Sequence, residues 1–312
     1  METGTLSKRI NEFLEYLEVE RGRSQRTIRN YDFYLRRFAV WAKEPPVAKI
    51  DAELIRQYRL WLNRFVEGRH EQGIKKSTQN YHLIALRSFF KYLAKRDIKS
   101  FSAEKIELSK QEKRIVEFLE EEELDRLLQI PLTLAGDLIA YRDRAILELL
   151  FSTGMRVSEL ANLEIEKINL ERDEFTVRGK GDKPRVVFLT QTAKQAVKEY
   201  LAKRHDVSPF IFVCHDRAKG KRGQTGPLTP RSIQRIVEHY AKAAGITKHI
   251  TPHTLRHTFA TDLLRSGADI RSVQSMLGHE SITTTQIYTH VTNQRLREVH
   301  NKYHGRQRKK EE

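Results

Sequence analysis

The chain has a single cysteine, Cys214, in 312 residues. One thiol excludes an internal disulfide and fits a reducing compartment, so a cytoplasmic location is expected. No run of about 18 apolar residues is present, which excludes a membrane-spanning helix, and no lipidation signal is visible. The N-terminus METGTLSKRINEF lacks the apolar stretch of a secretory leader. There is no HExxH zinc motif and no internal repeat. What the chain has in excess is positive charge, +16 net from 57 Lys+Arg against 41 Asp+Glu, with a pI near 9.8. That balance favours a polyanionic partner, with nucleic acid ahead of an anionic membrane.

At 39% hydrophobic residues the chain can bury two cores, and its length suits two domains. Residues 1–114 hold 25 of the Lys+Arg and 15 of the Asp+Glu, a net of +10, and the other 198 residues net +6. The smaller, more charge-dense part reads as four helices. Ile10, Phe13, Leu14 and Leu17 form one stripe; Ile28, Tyr31, Leu35 and Phe38 form a second. Asp51 is expected to cap a third helix and Ser77 a fourth, running through Tyr81, Ile84, Phe89 and Leu93. Such a basic helical domain suits a DNA clamp, and an ordinary solvated helical domain explains the same charges. The polar stretch KSFSAEKIELSKQEKR at 99–114 reads as an interdomain linker, with a new helix starting near Glu117. The second part reads as mainly helical with one hairpin, EFTVRG (174–179) and PRVVFL (184–189), around a KGDK turn; FIFV (210–213) reads as another short strand. The loop 215–227, HDRAKGKRGQTGP, is basic and glycine-rich, and Thr229-Pro230 opens a helix expected to reach Gly245.

Several residues of the second part carry potential chemistry. Arg156 follows the apolar helix AILELLFSTG, whose Gly154 suits a C-cap. Its guanidinium fork matches two phosphate oxygens, with Glu159 placed to orient it; a plain Arg–Glu helix pair has the same spacing. Lys180, at the hairpin tip, can protonate a leaving alkoxide or simply be a turn lysine. Arg178 and Arg185 flank it and can touch backbone phosphates. Thr251-Pro252 starts a helix on which His253 and Arg256 share a face at an anion-attracting N-terminus. His253 and His257 also have i, i+4 spacing, but no third ligand supports zinc, and His257 reads as a hydrogen-bonded packing residue. His279 follows Gly278 at a helix C-terminus, which favours the imidazolium. Tyr288 reads as a nucleophile or as a core aromatic. Arg231, Gln234 and Arg235, on the helix after Pro230, are candidates for base readout in a major groove.

Four ordered motifs resemble those of the tyrosine recombinases (phage integrase family), above all the compact Xer type: GMRVSEL at 154–160, GKGDKPR at 179–185, HTLRH at 253–257 and LGHESITTTQIYTHV at 277–291. One departure is Asp262 in TFATDLL, where many Xer-type chains carry histidine. The resemblance implies a mainly α fold with a small β-sheet: a SAM-like four-helix core-binding domain at 1–106, a linker at 107–116, a catalytic domain with a tail helix at 117–304 and a disordered tail at 305–312. It implies that Tyr288 attacks a DNA phosphate to give a 3′-phosphotyrosyl link. Arg156, Arg256 and His279 would then stabilise the pentacoordinate phosphate, His253 would take the tyrosine proton, Lys180 would protonate the 5′-oxygen and Glu159 would support the site. No metal and no cofactor is implied. The resemblance further implies double-stranded DNA sites, strand exchange through a Holliday junction, and a tetramer of this chain alone or with a paralogue. The tail RLREVHNKY (295–303) would dock into the neighbouring subunit, and a DNA translocase is an activator the resemblance admits. The expected role is Xer-like resolution of chromosome or plasmid dimers; integration of a mobile element, type IB topoisomerase-like relaxation and non-catalytic DNA binding are the competing readings.

Overall fold

The computed structural model describes residues 5–65, 73–110, 117–179, 183–215 and 226–278. Lys180, His279, Tyr288, most of the 215–227 loop and the whole tail therefore lie outside the described residues. The chain divides into two compact units, Met1–Lys113 and Arg114–Glu312.

The first unit contains α1 (Leu6–Val19), α2 (Gln25–Trp41), α3 (Ala52–Arg64) and α4 (Lys76–Lys95). The first two stripes point inward, with Ile10, Phe13 and Leu17 of α1 and Leu35 and Phe38 of α2 buried together with Tyr58, Leu86, Phe89 and Leu93; of the fourth stripe only Phe89 and Leu93 enter the core, while Tyr81 and Ile84 stay exposed on α4. Asp51 caps α3 as expected, its Oδ1 accepting from Leu54 N at 2.8 Å. The fourth cap differs. The helix begins at Lys76 with Lys75 in the cap position and no side-chain cap bond, so Ser77 lies inside the first turn. The 99–114 stretch is also not simple spacer. Ala103 and Ile106 are buried in this core, and the Asn80 side chain bonds both N and O of Ser109. A short 3₁₀ turn, Ala103–Lys105, delivers two isolated apolar residues that no helical or strand period reveals.

The second unit runs α5 (Glu121–Leu134), α6 (Leu138–Thr153), α7 (Val157–Ala161), β1 (Glu174–Arg178), β2 (Pro184–Phe188), α8 (Gln191–Ala202), α9 (Pro230–Ala243), α10 (Pro252–Ser266) and α11 (Ile270–Leu277). α5 starts four residues later than expected because Glu120 takes the N-cap, its backbone N bonded to Glu123 Oε2 at 3.0 Å. The strands pair antiparallel, Glu174 opposite Phe188 and Arg178 opposite Pro184. FIFV is not a strand: Phe210 and Val213 make single bridges to Glu164 and Pro227. α6 is the central helix, buried on nearly every side and packed against α5, α8 and α10. The core around it draws on Leu127, Ile146, Leu150, Val187, Val197 and Phe212. Among the described residues no helix is long and apolar enough to cross a membrane. The fold is thus mainly helical with one small two-stranded sheet, as the sequence leads one to expect.

Candidate active site

Three helix ends meet in the second unit. α6 stops at Gly154, whose φ of +56° turns the chain sharply so that Arg156 leads into α7. α10 begins under a Thr251 cap with Pro252 at its start, and Arg256 follows one turn later. α11 stops at Gly278, again left-handed with φ +63°. The orphan carbonyls at the α11 end carry the negative pole of the helix dipole. Three arginines answer them: Arg185 Nε reaches Met276 O at 3.1 Å, Arg256 Nη2 reaches Leu277 O at 2.5 Å and Arg156 Nη2 reaches Gly278 O at 3.0 Å. Arg256 Nη1 also donates to Gly154 O at 2.6 Å, tying the α6 end to the α11 end.

Glu159 stands among these arginines with only 7% of its side chain exposed. Oε1 accepts from Arg156 Nη1 at 2.9 Å and from Arg185 Nη1 at 2.8 Å. Oε2 accepts from Arg185 Nη2 at 2.6 Å and from Arg156 backbone N at 2.7 Å. Burial pushes the carboxyl upward, but the Arg185 bond, the Arg156 backbone N–H, the Arg185 charge and the Arg156 side-chain bond outweigh it and hold the group below the ordinary glutamate range.

Two of the site residues outside the described set, Lys180 and His279, directly follow glycines within it. Gly179, just before Lys180, sits so close that an added Cβ would lie 3.3 Å from Arg185 Nη1 and 3.5 Å from Arg156 Nη1. Gly278 directly precedes His279. A cleft of about 780 Å³ opens beside Arg156, lined also by Ser158, Glu159, Asn162, Lys167 and Arg178. His253 keeps an exposed face, yet burial of the rest of the ring, then Arg256 and Arg156, push its pKa below the usual histidine value. At neutral pH it is therefore a free base within electrostatic reach of both arginines.

Arg185 departs from expectation. Its side chain is 8% exposed, and all three guanidinium nitrogens bond protein oxygens, so it is an internal clamp and not the backbone-phosphate contact that its place beside Lys180 suggests. The sequence offered no signal for this, because Arg185 and Glu159 lie 26 residues apart. Arg178 is on the exposed face of β1. Arg231 and Arg235 are exposed and Gln234 lies between them on one face of α9, with Arg231 Nη1 bonded to Gln234 Oε1 at 3.0 Å. Among the described residues no His, Cys, Asp and Glu group could hold a metal.

His257 carries a separate expectation. Burial, then His253 and Arg256, push its pKa down to about 4. The unfolded chain takes up a proton below about 6.5 while the folded ring stays neutral to about 4, so stability is lost as pH falls through that window and unaffected above it. In the wild type this group drains about 2–4 kcal/mol between pH 6.5 and 4. Denaturant unfolding across that range should show a correspondingly shallower loss in His257→Gln; equal slopes in both proteins would refute the expectation.

The phage integrase family model matches residues 117–295, and the phage integrase N-terminal SAM-like domain model matches residues 10–97. Tyrosine recombinase XerC of Bacillus subtilis (strain 168) is 38% identical over 307 residues, covering 96% of each chain. Tyrosine recombinase XerD of Staphylococcus haemolyticus (strain JCSC1435) is 36% identical, covering 95% of this chain and 98% of the relative. Among solved structures, XerH recombinase bound to a palindromic difH substrate in a post-cleavage complex is 25% identical with a TM-score of 0.71, covering 93% of this chain and 83% of that one. XerA recombinase is 32% identical with a TM-score of 0.52, covering 96% and 99%.

Proposed function

The chain belongs to the phage integrase family and is an Xer-like tyrosine recombinase, an enzyme that breaks and rejoins DNA at specific sites; from that premise we propose that Tyr288 is its nucleophile and that Arg156, Lys180, His253, Arg256 and His279 complete the catalytic set. The observation that carries this reading is the convergence of Arg156 and Arg256 on the successive carbonyls of Gly278 and Leu277, immediately before His279. Two guanidinium groups at one corner supply fixed positive charge for a pentacoordinate phosphate without a metal.

The steps follow from the groups. Tyr288 Oη attacks the scissile phosphorus while His253, neutral at physiological pH, accepts the phenolic proton. The P–O5′ bond breaks, Lys180 protonates the departing oxygen, and the DNA 3′ end is left esterified to the tyrosine. Arg156, Arg256 and His279 neutralise the charge that builds on the non-bridging oxygens. One phosphodiester has been exchanged for another, so a free 5′-hydroxyl from a partner strand can reverse the attack without ATP.

Residues 1–106 are the core-binding domain in this reading, 107–116 the linker, 117–304 the catalytic domain with its tail segment and 305–312 the end of the tail. The +10 charge of residues 1–114 supports a DNA role for the first part. The exposed Arg231 and Arg235, with Gln234, read bases, and Arg178 touches backbone. The enzyme works as a tetramer, of one chain or with a paralogue, exchanging the 295–303 tail between subunits and passing through a Holliday junction, in the cytoplasm, to resolve chromosome or plasmid dimers; a DNA translocase is an activator this reading admits without requiring.

Covalent trapping tests the core of the proposal. Wild type is incubated with nicked duplexes carrying candidate chromosomal sites, and SDS-resistant adducts with a free 5′-hydroxyl are sought. Adducts from wild type and none from Tyr288→Phe are expected. Equal adduct yield from both proteins would remove Tyr288 from its role.

A further inference from the structure

We infer that Arg185 is a positioning residue for strand cleavage: it holds Glu159 and the α11–Gly278 corner so that Arg156 keeps both its place and its unspent positive charge. The inference rests on the recombinase reading and deepens it.

Arg185 itself is not placed to touch DNA. Only 8% of its side chain is exposed, and Nη1, Nη2 and Nε are bonded to Glu159 Oε1, Glu159 Oε2 and Met276 O. What it touches is the support of the site. The two parallel bonds to Glu159 form a fork-on-carboxylate pair, the geometry that fixes a carboxylate in both position and rotation. The same carboxylate receives Arg156 through its side chain and its backbone N–H. Arg185 therefore sets where Arg156 stands, one carboxylate removed.

The charge count points the same way. Glu159 and Arg156 alone would form a neutral ion pair with little pull on a phosphate. With Arg185 the group of three carries +1. Arg185 takes the bidentate share of the carboxylate, which leaves Arg156, the most exposed of the three at 28%, with one monodentate side-chain bond to it. The guanidinium that faces the cleft is the one least neutralised.

The third contact extends the clamp. Arg185 reaches Met276 O, and its own chain fills the space where Gly278 lacks a side chain: a Cβ there would lie 2.8 Å from Arg185 Cδ. Gly278 thus rests on Arg185 while its carbonyl accepts from Arg156. One buried side chain braces both the arginine at the end of α6 and the corner from which the chain continues to His279 and Tyr288.

The test uses full-length Arg185→Lys and Arg185→Met. Single-turnover adduct formation is measured on nicked duplex at saturating DNA and normalised to folded protein by thermal melting, with DNA affinity measured separately. Arg185→Met should cleave about 10²-fold more slowly per folded molecule, with Kd within roughly threefold of wild type, since Arg185 does not reach the phosphates. Arg185→Lys, which restores charge but not the fork, should recover part of that loss. In Glu159→Gln the further change Arg185→Met should cost much less than in wild type, because the two act as a unit. A wild-type rate per folded molecule in Arg185→Met, or full additivity with Glu159→Gln, would overturn the inference. Should wild type itself form no adduct, the proposed function fails on its own, and amide hydrogen exchange over residues 270–278 then decides on Arg185: faster exchange in Arg185→Met supports the clamp, and unchanged exchange sinks it.

Discussion

Arg256→Lys is expected to slow strand cleavage by about 10²–10³-fold, the loss seen when one preorganised donor is removed from a charge-stabilising site. The structure shows why lysine is no conservative exchange here. Arg256 is 5% exposed and spans two backbone carbonyls, Gly154 O and Leu277 O, that belong to different helix ends. A planar fork can hold both and still present nitrogen edges to a phosphate; an ammonium is a single point of charge on a flexible stem. Lysine would satisfy one carbonyl and leave the other buried without its donor, at about 1–3 kcal/mol. Two effects follow: a modest fall in thermal stability and a large fall in single-turnover cleavage at saturating DNA. DNA affinity should move little, because one phosphate contact among many is altered. A cleavage loss under about threefold in the folded variant would remove Arg256 from the transition state.

Much of this was legible in the sequence, and the boundary is physical. Elements whose residues report on their own neighbourhood read correctly: the Asp51 and Thr251 caps, the Gly154 stop and the two strands of the hairpin all depend on contacts within a few residues. The recombinase motifs read correctly too, since their order and spacing carry the match to the family. What escaped was non-local. Arg185 looked like a hairpin arginine beside a DNA-facing lysine, and only folding brings it to Glu159 and Met276. Ala103 and Ile106 looked like linker, since two apolar residues without a period show nothing until the core they enter is known. Phe210 and Val213 have strand-forming composition, but each finds only a single bridge partner, so composition overstated the strand. Ser77 and Glu117 illustrate the usual weakness at helix ends, where one competing cap moves the boundary.

Gly154→Ala should be the most damaging single methyl that can be added near the site. Two costs combine. The residue sits at φ +56°, a left-handed conformation that costs an L-residue roughly 1–2 kcal/mol. The new Cβ would also lie 2.4 Å from Phe259 Cδ1 and 2.8 Å from Cε1, far inside van der Waals contact with a ring that cannot bend away like a chain end. Overpacking of that kind costs roughly 1–3 kcal/mol. The sum, about 2–5 kcal/mol, should lower the midpoint of thermal unfolding by roughly 5–15 °C for a unit of this size. The function should suffer beyond the stability loss, because Gly154 O is the anchor of Arg256 and Arg156 lies two residues on. Phe259→Leu separates the terms. In the double variant the ring is gone, so the steric share should return while the backbone share remains, leaving a residual deficit of about 1–2 kcal/mol. Denaturant melts of the wild type, the two single variants and the double variant measure this directly. If Phe259→Leu restored nothing to Gly154→Ala, the Phe259 contact would not be the constraint, and backbone conformation alone would have to explain why glycine stands at the end of α6.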